Sequence, residues 1–445
     1  MTRHFISIDD LSLAELRELF EQASRFAEDL RGHADLCKGM ISASLFYEPS
    51  TRTRLSFESA MLRLGGGVIS AADMQTLSAS KGESLADTVR VVGGGYADVL
   101  VLRHPSEGAA RLAAQYSPVP VINAGDGSHE HPTQTLCDLY TLWIERGQLE
   151  GIDVVLAGDL RYSRTIHSFA YALARFGANI VCVPQRGFEM PDYVVQRLRQ
   201  EFGVEPVRAD ASKLGTLAET SDAVYLTPQK PHQLSLFTDS RGLSLKSVDA
   251  VYMTRPQTER HPKGGTIERY VQLGKDELSA ESLRDAVVMH PLPRRDEISA
   301  DIDSDPRSIY FKQAARGVPI RMAILARLTG ALPSQVSAEI ARSVDYPVRV
   351  GDNPCPNPTC ISRTEARHVD AMYRIASRFP LRARCAYCSN ALEFELVGCS
   401  TTGHYHEPGS AAVKRIRPDH LVFLADEAQA RALGFEQATR TGSPA

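Results

Sequence analysis

The sequence contains no run of 18 apolar residues and no large excess of charge of either sign. The missing apolar run excludes a typical membrane-spanning helix. The formal net charge is only −4, with 50 Lys and Arg against 54 Asp and Glu, so no bulk basic field indicates binding to nucleic acid or to a membrane. The first ten residues lack the apolar segment of a secretion signal, and we therefore expect a cytoplasmic protein.

Cysteine is sparse over the first three hundred residues, which excludes a disulfide-scaffold protein. Cys37, Cys137 and Cys182 are widely spaced there, and isolated cysteines of this kind are usually small buried hydrophobic residues. The other five of the eight cysteines lie between positions 355 and 399. In a cytosolic chain, such clustering favours metal binding over disulfides.

Short apolar runs alternate with helical patterns along most of the 445 residues. The first helix is predicted over 12–31, with Ser12 and Glu15 at capping-box spacing and Ala27 on its apolar face. The alternation predicts an α/β fold with parallel sheets covered by helices. The runs lie at 41–46, 99–102, 119–122, 154–157, 180–183, 224–226, 251–253 and 286–289. Polar motifs follow several of them, at the strand ends where such sheets bind ligands.

One of these motifs has the chemistry of an oxyanion site. Ser50, Thr51, Arg52, Thr53 and Arg54 follow an apolar strand and precede a helical pattern. Hydroxyls, backbone N–H groups and the helix dipole would then meet at a helix N-terminus, beside two guanidinium groups suited to phosphate. Taken alone, the motif fits equally well a capped helix that carries two solvated arginines.

The motif closely resembles the carbamoyl phosphate motif of the aspartate and ornithine carbamoyltransferases, and more of the family's motifs follow in order. They are Leu102-Arg103-His104-Pro105, His131-Pro132-Thr133-Gln134, Gly158-Asp159-Leu160-Arg161-Tyr162-Ser163-Arg164-Thr165, Met253-Thr254-Arg255-Pro256-Gln257 and His290-Pro291-Leu292-Pro293-Arg294. The resemblance covers roughly residues 1–330. It implies a domain that binds carbamoyl phosphate over 1–135, completed by a helix around 295–330, and a domain that binds aspartate over 136–294.

The motifs that begin at His131 and His290 resemble the aspartate branch of the family. The ornithine branch usually carries a cysteine in each of these two motifs and has a Ser-Met-Gly motif, which is missing here. The segment from Ser78 to Glu83 resembles a loop of the aspartate enzymes. Charge agrees with this assignment, because a dicarboxylate substrate needs several cations, and Lys81, Arg164 and Arg255 can supply them.

The resemblance implies how each matched residue would act on the two substrates. Ser50, Thr51, Arg52, Thr53 and Arg103 would hold the phosphate, with Arg52 beside the leaving oxygen. Thr53, Arg103 and His131 would donate to the carbonyl oxygen, and Gln134 with the carbonyls of Leu292 and Pro293 would accept from the carbamoyl amide. No cofactor is expected for catalysis.

For aspartate, the resemblance assigns Arg164 and Thr165 to the α-carboxylate and Arg255 and Gln257 to the β-carboxylate. Ser78 would bind carbamoyl phosphate and Lys81 would reach both substrates, from a neighbouring subunit of a homotrimer. Glu48 would set the closed form by pairing with Arg164 and Arg260. The segment around 228–243 is longer than is usual in the family, which affects the geometry of the aspartate loop.

The C-terminal cysteines supply two thiolate pairs, Cys355 with Cys360 and Cys385 with Cys388. Four thiolates suit a closed structural Zn²⁺ site; the alternative is four reduced core cysteines. The unit over 352–438, reached through a linker at 331–351, resembles the zinc domain of the aspartate carbamoyltransferase regulatory chain, which implies a small β-rich domain with a role in assembly. A nucleic-acid zinc ribbon is the rival, but 12 Lys and Arg against 11 Asp and Glu from Asp345 onward lack its basic footprint.

The function expected from the sequence is therefore transfer of a carbamoyl group from carbamoyl phosphate to L-aspartate, in pyrimidine biosynthesis. Two alternatives stay open at this point. One is a catalytically silent homologue that acts as a scaffold for pyrimidine enzymes. The other is a carbamoyltransferase for another amino acid.

Overall fold

The computed structural model describes residues 3–72, 82–210, 213, 217, 220–227, 248–255, 272–335, 345–347, 355–365 and 369–438. The lengthened segment around 228–243 and most of the predicted linker lie outside these residues. Within the described part of the chain, no helix is long and apolar enough to cross a bilayer.

A four-stranded parallel sheet forms the first α/β unit, in the order β2-β1-β3-β4. Its strands are β1 Ile41–Phe46, β2 Gly67–Ala72, β3 Val99–His104 and β4 Val121–Asp126. The helices that precede, connect or follow them are α1 Leu13–Glu28, α2 Thr51–Arg63, α3 Leu85–Gly95, α4 Ala109–Tyr116 and α5 Pro132–Arg146.

A six-stranded parallel sheet forms the second α/β unit, in the order β10-β9-β8-β5-β6-β7. Its strands are β5 Asp153–Gly158, β6 Asn179–Pro184, β7 Val207–Arg208, β8 Ala223–Thr227, β9 Ala250–Met253 and β10 Val287–Met289. The helices of this part of the chain are α6 Arg164–Arg175, α7 Asp192–Phe202 and the short α8 Lys275–Leu278. The long helix α9, Tyr310–Leu328, follows and packs back on α1, α2 and α5.

The C-terminal unit is rich in β-structure. Strands β11 Asp345–Pro347, β12 Met372–Arg378 and β13 Leu381–Cys385 form an antiparallel sheet. A second sheet has the order β16-β14-β15-β17, from β14 Leu396–Cys399, β15 His404–His406, β16 Leu421–Leu424 and β17 Glu436–Gln437. Two short helices, α10 Ile361–Thr364 and α11 Glu427–Ala432, complete the unit. The predicted fold class, two parallel α/β units and a small β-rich unit, is confirmed; the domain limits stay a prediction.

The C-terminal unit and the first α/β unit share one hydrophobic cluster. Leu45 of β1 and Leu102 of β3 belong to the same buried cluster as Tyr373, Leu381 and Phe423 of the C-terminal unit. The C-terminal unit also reaches the second α/β unit, where Arg384 Nη1 lies 3.2 Å from Glu201 Oε1 on α7. The C-terminal unit therefore packs against its own chain rather than standing apart from it.

Helix α1 begins as predicted but ends early. Ser12 and Glu15 form the predicted capping box. The predicted helix continued to residue 31, whereas α1 ends at Glu28 because the extended Asp29 turns its carboxylate back to accept from the N–H groups of Arg31 and Gly32. The apolar face was wrong at one position: Phe26 is buried and Ala27 is exposed.

Two strand predictions also differ from the structure. The third predicted strand spanned 119–122. The corresponding strand, β4, begins at Val121, directly after Pro120, which has no N–H group to donate to a sheet. The edge strand β2 was not predicted. It begins in a glycine run, Gly65 to Gly67, and such a composition is typical of a turn rather than of a strand.

Candidate active site

The polar motifs meet at the carboxyl ends of the two parallel sheets, around one cavity of about 700 Å³. Residues that follow β1 and β4, with Arg103 at the end of β3, line it from the first α/β unit, and residues that follow β5, β9 and β10 line it from the second. Because the strands of each sheet are parallel, these loops share one edge of each sheet. The cavity therefore lies between the two α/β units.

The N-terminus of α2 opens on this cavity. Ser50 is the N-cap residue, and its side chain makes no capping hydrogen bond, while Thr51, Arg52 and Thr53 form the first turn. The N–H groups of a first turn have no partner within the helix, and the helix dipole places positive potential there. This end of α2 thus offers backbone donors, hydroxyls and a guanidinium group to an anion.

Arg103, at the end of β3, is the buried cation at the centre of the cavity wall. Its Nη1 donates to the carbonyl of Ala124 at 3.2 Å and lies 3.4 Å from His131 Nε2, and its Nη2 lies 3.0 Å from Glu48 Oε2. A guanidinium group cannot accept a hydrogen bond, so this contact favours the His131 tautomer with its proton on Nδ1, which lies 3.3 Å from Thr133 Oγ1.

Arg164 approaches Arg103 from the second α/β unit. It is the first residue of α6, and its Nη1 donates to the carbonyl of Gly127 at 2.5 Å. Gly125, with φ of 119°, allows this approach, because a Cβ there would lie 3.2 Å from Arg103 Nη1 and 3.4 Å from Arg164 Nη1. Beside Arg164, Thr165 Oγ1 lies 2.8 Å from the hydroxyl of Tyr225.

The loop after β10 is fixed by a buried histidine. His290 Nδ1 accepts from the N–H of Leu292 at 2.8 Å, so its Nε2 carries the proton and donates to Glu297 at 2.8 Å. Burial lowers the pKa of His290, which favours the neutral ring. Leu292 has φ of 51°, a left-handed conformation that is strained for a branched side chain, and it lines the cavity with Pro293.

The described lining of the cavity is strongly cationic. It carries five arginines and, among the described residues, one carboxylate, Glu48. Partial burial, with the nearby positive charge of Arg255, lowers the pKa of Arg52. Cations held this close together gain most when an anion binds between them. The arginines are Arg52, Arg103, Arg164, Arg255 and Arg321.

The structure brings together most of the residues that the sequence predicted for the substrates. The ones that line the cavity are Glu48, Ser50, Thr51, Arg52, Thr53, Arg103, His131, Gln134, Arg164, Thr165, Arg255, Leu292 and Pro293. Ser78, Lys81, Gln257 and Arg260 lie outside the described residues. Glu48 Oε2 lies 3.8 Å from Arg164 Nη1 and closer, at 3.0 Å, to Arg103 Nη2.

Several cavity residues were missed by the sequence analysis. Arg321 and Gln313 reach the cavity from α9, and Asp138 anchors Gln134 from the next turn of α5. The four-residue spacing of Gln134 and Asp138 on one helix is a signal that could have indicated this pair. No local pattern could have brought α9 to the site, because the contact spans 175 residues.

A separate cluster of thiols lies in the C-terminal unit. The Sγ atoms of Cys355, Cys360, Cys385 and Cys388 all lie within 4.8 Å of one another, with 3.5 Å between Cys355 and Cys388 and 3.6 Å between Cys360 and Cys385. All four are buried and none forms a disulfide. A tetrahedral ion with metal–sulfur bonds of about 2.3 Å needs sulfurs about 3.8 Å apart, so this donor set fits one such ion.

Comparison with known families agrees with this geometry. Residues 3–144 match the family "Aspartate/ornithine carbamoyltransferase, carbamoyl-P binding domain", and residues 150–328 match "Aspartate/ornithine carbamoyltransferase, Asp/Orn binding domain". The chain belongs to the aspartate/ornithine carbamoyltransferase family. The family resemblance predicted from the motifs is thereby confirmed. Residues 354–397 also match "Aspartate carbamoyltransferase regulatory chain, metal binding domain".

Individual relatives lie in the aspartate branch. The chain is 44% identical over 328 residues to the aspartate carbamoyltransferase catalytic subunit of Methanococcus maripaludis, which covers 73% of this chain and 97% of the relative. It is 41% identical over 333 residues to that of Thermoplasma acidophilum, with 74% and 98% covered.

Among solved structures, the catalytic subunit of Methanocaldococcus jannaschii aspartate transcarbamoylase is similar, with a TM-score of 0.59 and 40% identity over 73% of this chain and 97% of that one. A Trypanosoma cruzi aspartate transcarbamoylase in complex with carbamoyl phosphate and aspartate has a TM-score of 0.59 and 33% identity, with 73% and 95% covered. These similarities leave the last quarter of this chain outside the aligned catalytic part.

Proposed function

We propose that this chain transfers the carbamoyl group of carbamoyl phosphate to the amine of L-aspartate, giving N-carbamoyl-L-aspartate and phosphate. The observation that carries the proposal is the convergence of five arginines on one cavity between the two α/β units. Carbamoyl phosphate and aspartate are both anions, and planar guanidinium groups are well suited to phosphate and carboxylate oxygens.

In this proposal the first α/β unit binds carbamoyl phosphate. The N-terminus of α2 takes the phosphate with Ser50, Thr51, Arg52 and Thr53, because this helix end combines backbone donors with hydroxyls. Arg103 lies beside His131. Both reach the same carbonyl oxygen once this oxygen replaces His131 Nε2 as the acceptor of Arg103 and His131 carries its proton on Nε2. The carbamoyl NH₂ group faces acceptors, Gln134 Oε1 and the carbonyls of the loop after β10.

The second α/β unit binds aspartate. Arg164 and Thr165 take one carboxylate and Arg255, with Gln257, the other. Glu48 pairs with Arg103 and Arg164 at once, so it links the two substrate-binding units. Ser78 and Lys81 would complete the site from a neighbouring subunit of a trimer, and Arg260 would join Glu48 in the closed form.

The chemistry needs no enzyme nucleophile. The aspartate amine attacks the carbonyl carbon, a C–N bond forms, and the resulting oxyanion collapses as the C–O bond to phosphate breaks. The departing phosphate can take the proton that the amine loses. Positioned donors aimed at the oxyanion and at the leaving oxygen lower the barrier, because they are held in place before the reaction begins. They are Thr53, Arg103, Arg52 and, in its Nε2-protonated tautomer, His131.

The C-terminal unit holds a structural Zn²⁺ ion in this proposal. The four buried thiols fit tetrahedral coordination, and the unit serves assembly rather than catalysis. A cytoplasmic location and a role in pyrimidine biosynthesis follow from the proposed activity. Nothing in the site favours a silent scaffold, since the cavity keeps the full set of predicted cations that lie within the described residues.

A steady-state assay with aspartate and with ornithine as acceptors tests the proposal, run beside mass measurement of the native complex. We expect carbamoylation of aspartate by a trimer or a multiple of it. Carbamoylation of ornithine alone, or no turnover by a fully assembled and metal-loaded sample, would contradict the proposal. A monomer with full activity would contradict the shared site.

A further inference from the structure

Asp138 is a buried carboxylate next to the cavity. It belongs to none of the family motifs identified in the sequence. Only 1% of the residue is exposed, and it lies one turn after Gln134 on α5. An unpaired carboxylate in such a place would be costly. The hydrogen-bond donors around Asp138 therefore show which side chains it holds in place.

Three donors converge on this carboxylate. Gln134 Nε2 and Gln313 Nε2 both donate to Oδ1 at 2.8 Å, and the Tyr252 hydroxyl donates to Oδ2 at 2.9 Å. The three donors come from α5, α9 and β9, so one side chain joins both α/β units and the helix that packs on the first. A carboxylate can only accept at Oδ1, which decides the orientation of both amides.

The first consequence concerns Gln134, which lines the cavity. Because its NH₂ group donates to Asp138, the Gln134 amide presents its Oε1, a hydrogen-bond acceptor, to the cavity. An amide turned the opposite way would present donors to the cavity. The NH₂ group of a carbamoyl ligand can bond only to the first arrangement, because two facing NH₂ groups have no acceptor between them.

The second consequence concerns the loop after β10. Since Gln313 gives its NH₂ group to Asp138, its Oε1 is left to accept, and it accepts the backbone N–H of His290 at 2.8 Å. His290 in turn holds the N–H of Leu292. The position of the Leu292 and Pro293 carbonyls thus depends on Asp138 through Gln313.

We propose that Asp138 is a positioning residue that makes the cavity selective for an NH₂ group on the bound acyl phosphate, by fixing Gln134 and the loop from His290 to Pro293 as acceptors. This inference rests on the proposed function and deepens it. Asp138 does not touch the substrate itself. It acts through two glutamines. Without Asp138, the Gln134 amide would lose the bond that sets its orientation, and the Gln313 amide would keep only its bond with the His290 N–H.

The arrangement does not depend on the charge of Asp138. Burial raises the pKa of its carboxyl group to about 7, against hydrogen bonds from Gln134, Gln313 and Tyr252 that lower it. A proton, where present, would lie on Oδ2 beside the Tyr252 hydroxyl, which can accept as well as donate. Oδ1 keeps accepting both amides in either form.

The test compares two ligands that differ only at the group in question. Carbamoyl phosphate carries NH₂ where acetyl phosphate carries a methyl group. Dissociation constants of both are measured by calorimetry on the wild-type protein and on Asp138→Ala, which leaves the two amides without their shared acceptor. We expect the variant to lose about tenfold or more in affinity for carbamoyl phosphate and less than about twofold for acetyl phosphate, since only the NH₂ group loses its acceptors.

Matched variants separate this role from a structural one. Tyr252→Phe removes the third donor without touching either amide, so the ratio of the two affinities should stay at the wild-type value. Gln134→Met, at a half-buried position, should lose the preference for carbamoyl phosphate over acetyl phosphate, as Asp138→Ala does. Asp138→Leu, which also has no acceptor, makes the same prediction as Asp138→Ala and serves if the Ala variant does not fold. Asp138→Asn keeps an oxygen at the Oδ1 position and can turn its Nδ2 toward the Tyr252 hydroxyl, so its ratio should stay at the wild-type value.

Three results would overturn the proposal. They are an equal loss for both ligands in Asp138→Ala and Asp138→Leu, an unchanged ratio in those two variants, or an unchanged ratio in Gln134→Met. A wild-type protein that binds neither ligand would contradict the proposed function itself, and this inference with it.

Discussion

Asn357 Nδ2 donates a hydrogen bond of 2.7 Å to Glu107 Oε2, which joins the C-terminal unit to the loop after β3. Thr359 Oγ1 donates to the other carboxylate oxygen at 3.2 Å. The backbone continues the contact, because the N–H of Glu107 donates to the carbonyl of Thr359 and the N–H of Ile361 donates to that of Glu107. A cysteine-rich unit similar to a regulatory chain is therefore docked on the catalytic part of the same polypeptide.

Removing one donor from this contact should destabilise the docked chain. Asn357→Ala leaves the buried Glu107 carboxylate short of a partner, and we expect a loss of about 1–3 kcal/mol in the free energy of unfolding, measured by urea denaturation. Arg431→Ala, which breaks an exposed ion pair with Glu427 in the same unit, should stay within about 0.5 kcal/mol. Equal losses of unfolding free energy in the two variants would show that the contact with Glu107 stabilises the protein no more than an exposed ion pair does.

Loss of the metal should lower the stability of more of the chain than the four cysteines and their surroundings. Cys360→Ser should lower the bound metal from one ion per chain to near zero, measured by elemental mass spectrometry on the native protein. The melting temperature of the first α/β unit should fall too, because this unit shares a hydrophobic cluster with the C-terminal unit. Cys399→Ser, outside the quartet but in the same unit, should keep the metal. Full metal content in Cys360→Ser would contradict the assigned ligand set.

Two neighbouring arginines on α2 should differ sharply in their effect on turnover. Arg52 lines the cavity, so Arg52→Ala should lower kcat by a factor of about 100 or more while the fold stays intact, as shown by circular dichroism. Arg54 lies 3.7 Å from Glu58 on the same helix, and Arg54→Ala should change kcat by less than about threefold. Near-normal kcat in Arg52→Ala would refute the phosphate-binding role of this helix end.

Stability should depend on pH through His129, which lies between Asp126 and Glu130. Burial alone would lower the pKa of His129, but the Asp126 carboxylate, 3.1 Å from Nδ1, raises it to about 9. A raised histidine pKa contributes stability that is fully present below the unfolded value of about 6.5 and is lost as the pH rises through about 9. A pKa rise of this size corresponds to about 3 kcal/mol.

The variant His129→Gln should therefore lose most stability at pH 6 and progressively less toward pH 9.5, measured as unfolding free energy in urea at each pH. His404→Gln, at a half-buried position on β15 of the C-terminal unit, provides the control and should leave the pH profile of the wild type unchanged. A pH-independent difference between His129→Gln and the wild type would show that His129 is not held as a cation by Asp126.

Much of the fold could be predicted because local patterns determine it. The capping box at Ser12, the apolar runs and the polar residues after them are all features of neighbouring residues. Helix α1 ended earlier than predicted because of one side chain, Asp29, whose backbone contacts outweigh an apolar pattern that continues to Leu30. Strand β2 was missed because its pairing with β1, and not its composition, makes it a strand.

The candidate site divides in the same way. Residues within the family motifs, such as Arg52 and His131, could be named from the sequence. The bond between Asp138 and Gln313 could not be predicted, because it joins helices 175 residues apart. The contact of Asn357 with Glu107 spans 250 residues and depends on how the C-terminal unit docks. The pattern of neighbouring residues carries no information on either of these long-range contacts.

The proposed transfer of the carbamoyl group to aspartate is tested most directly by following the carbonyl carbon itself. Carbamoyl phosphate labelled with ¹³C at the carbonyl is mixed with L-aspartate and the assembled, metal-loaded protein, and the reaction is followed by NMR. We predict that the label appears in N-carbamoyl-L-aspartate, with one phosphate released for each molecule formed. Label that appears only in hydrolysis products would contradict the proposed transfer. Label that appears mainly in N-carbamoyl-ornithine, when both amines are supplied, would contradict aspartate as the acceptor.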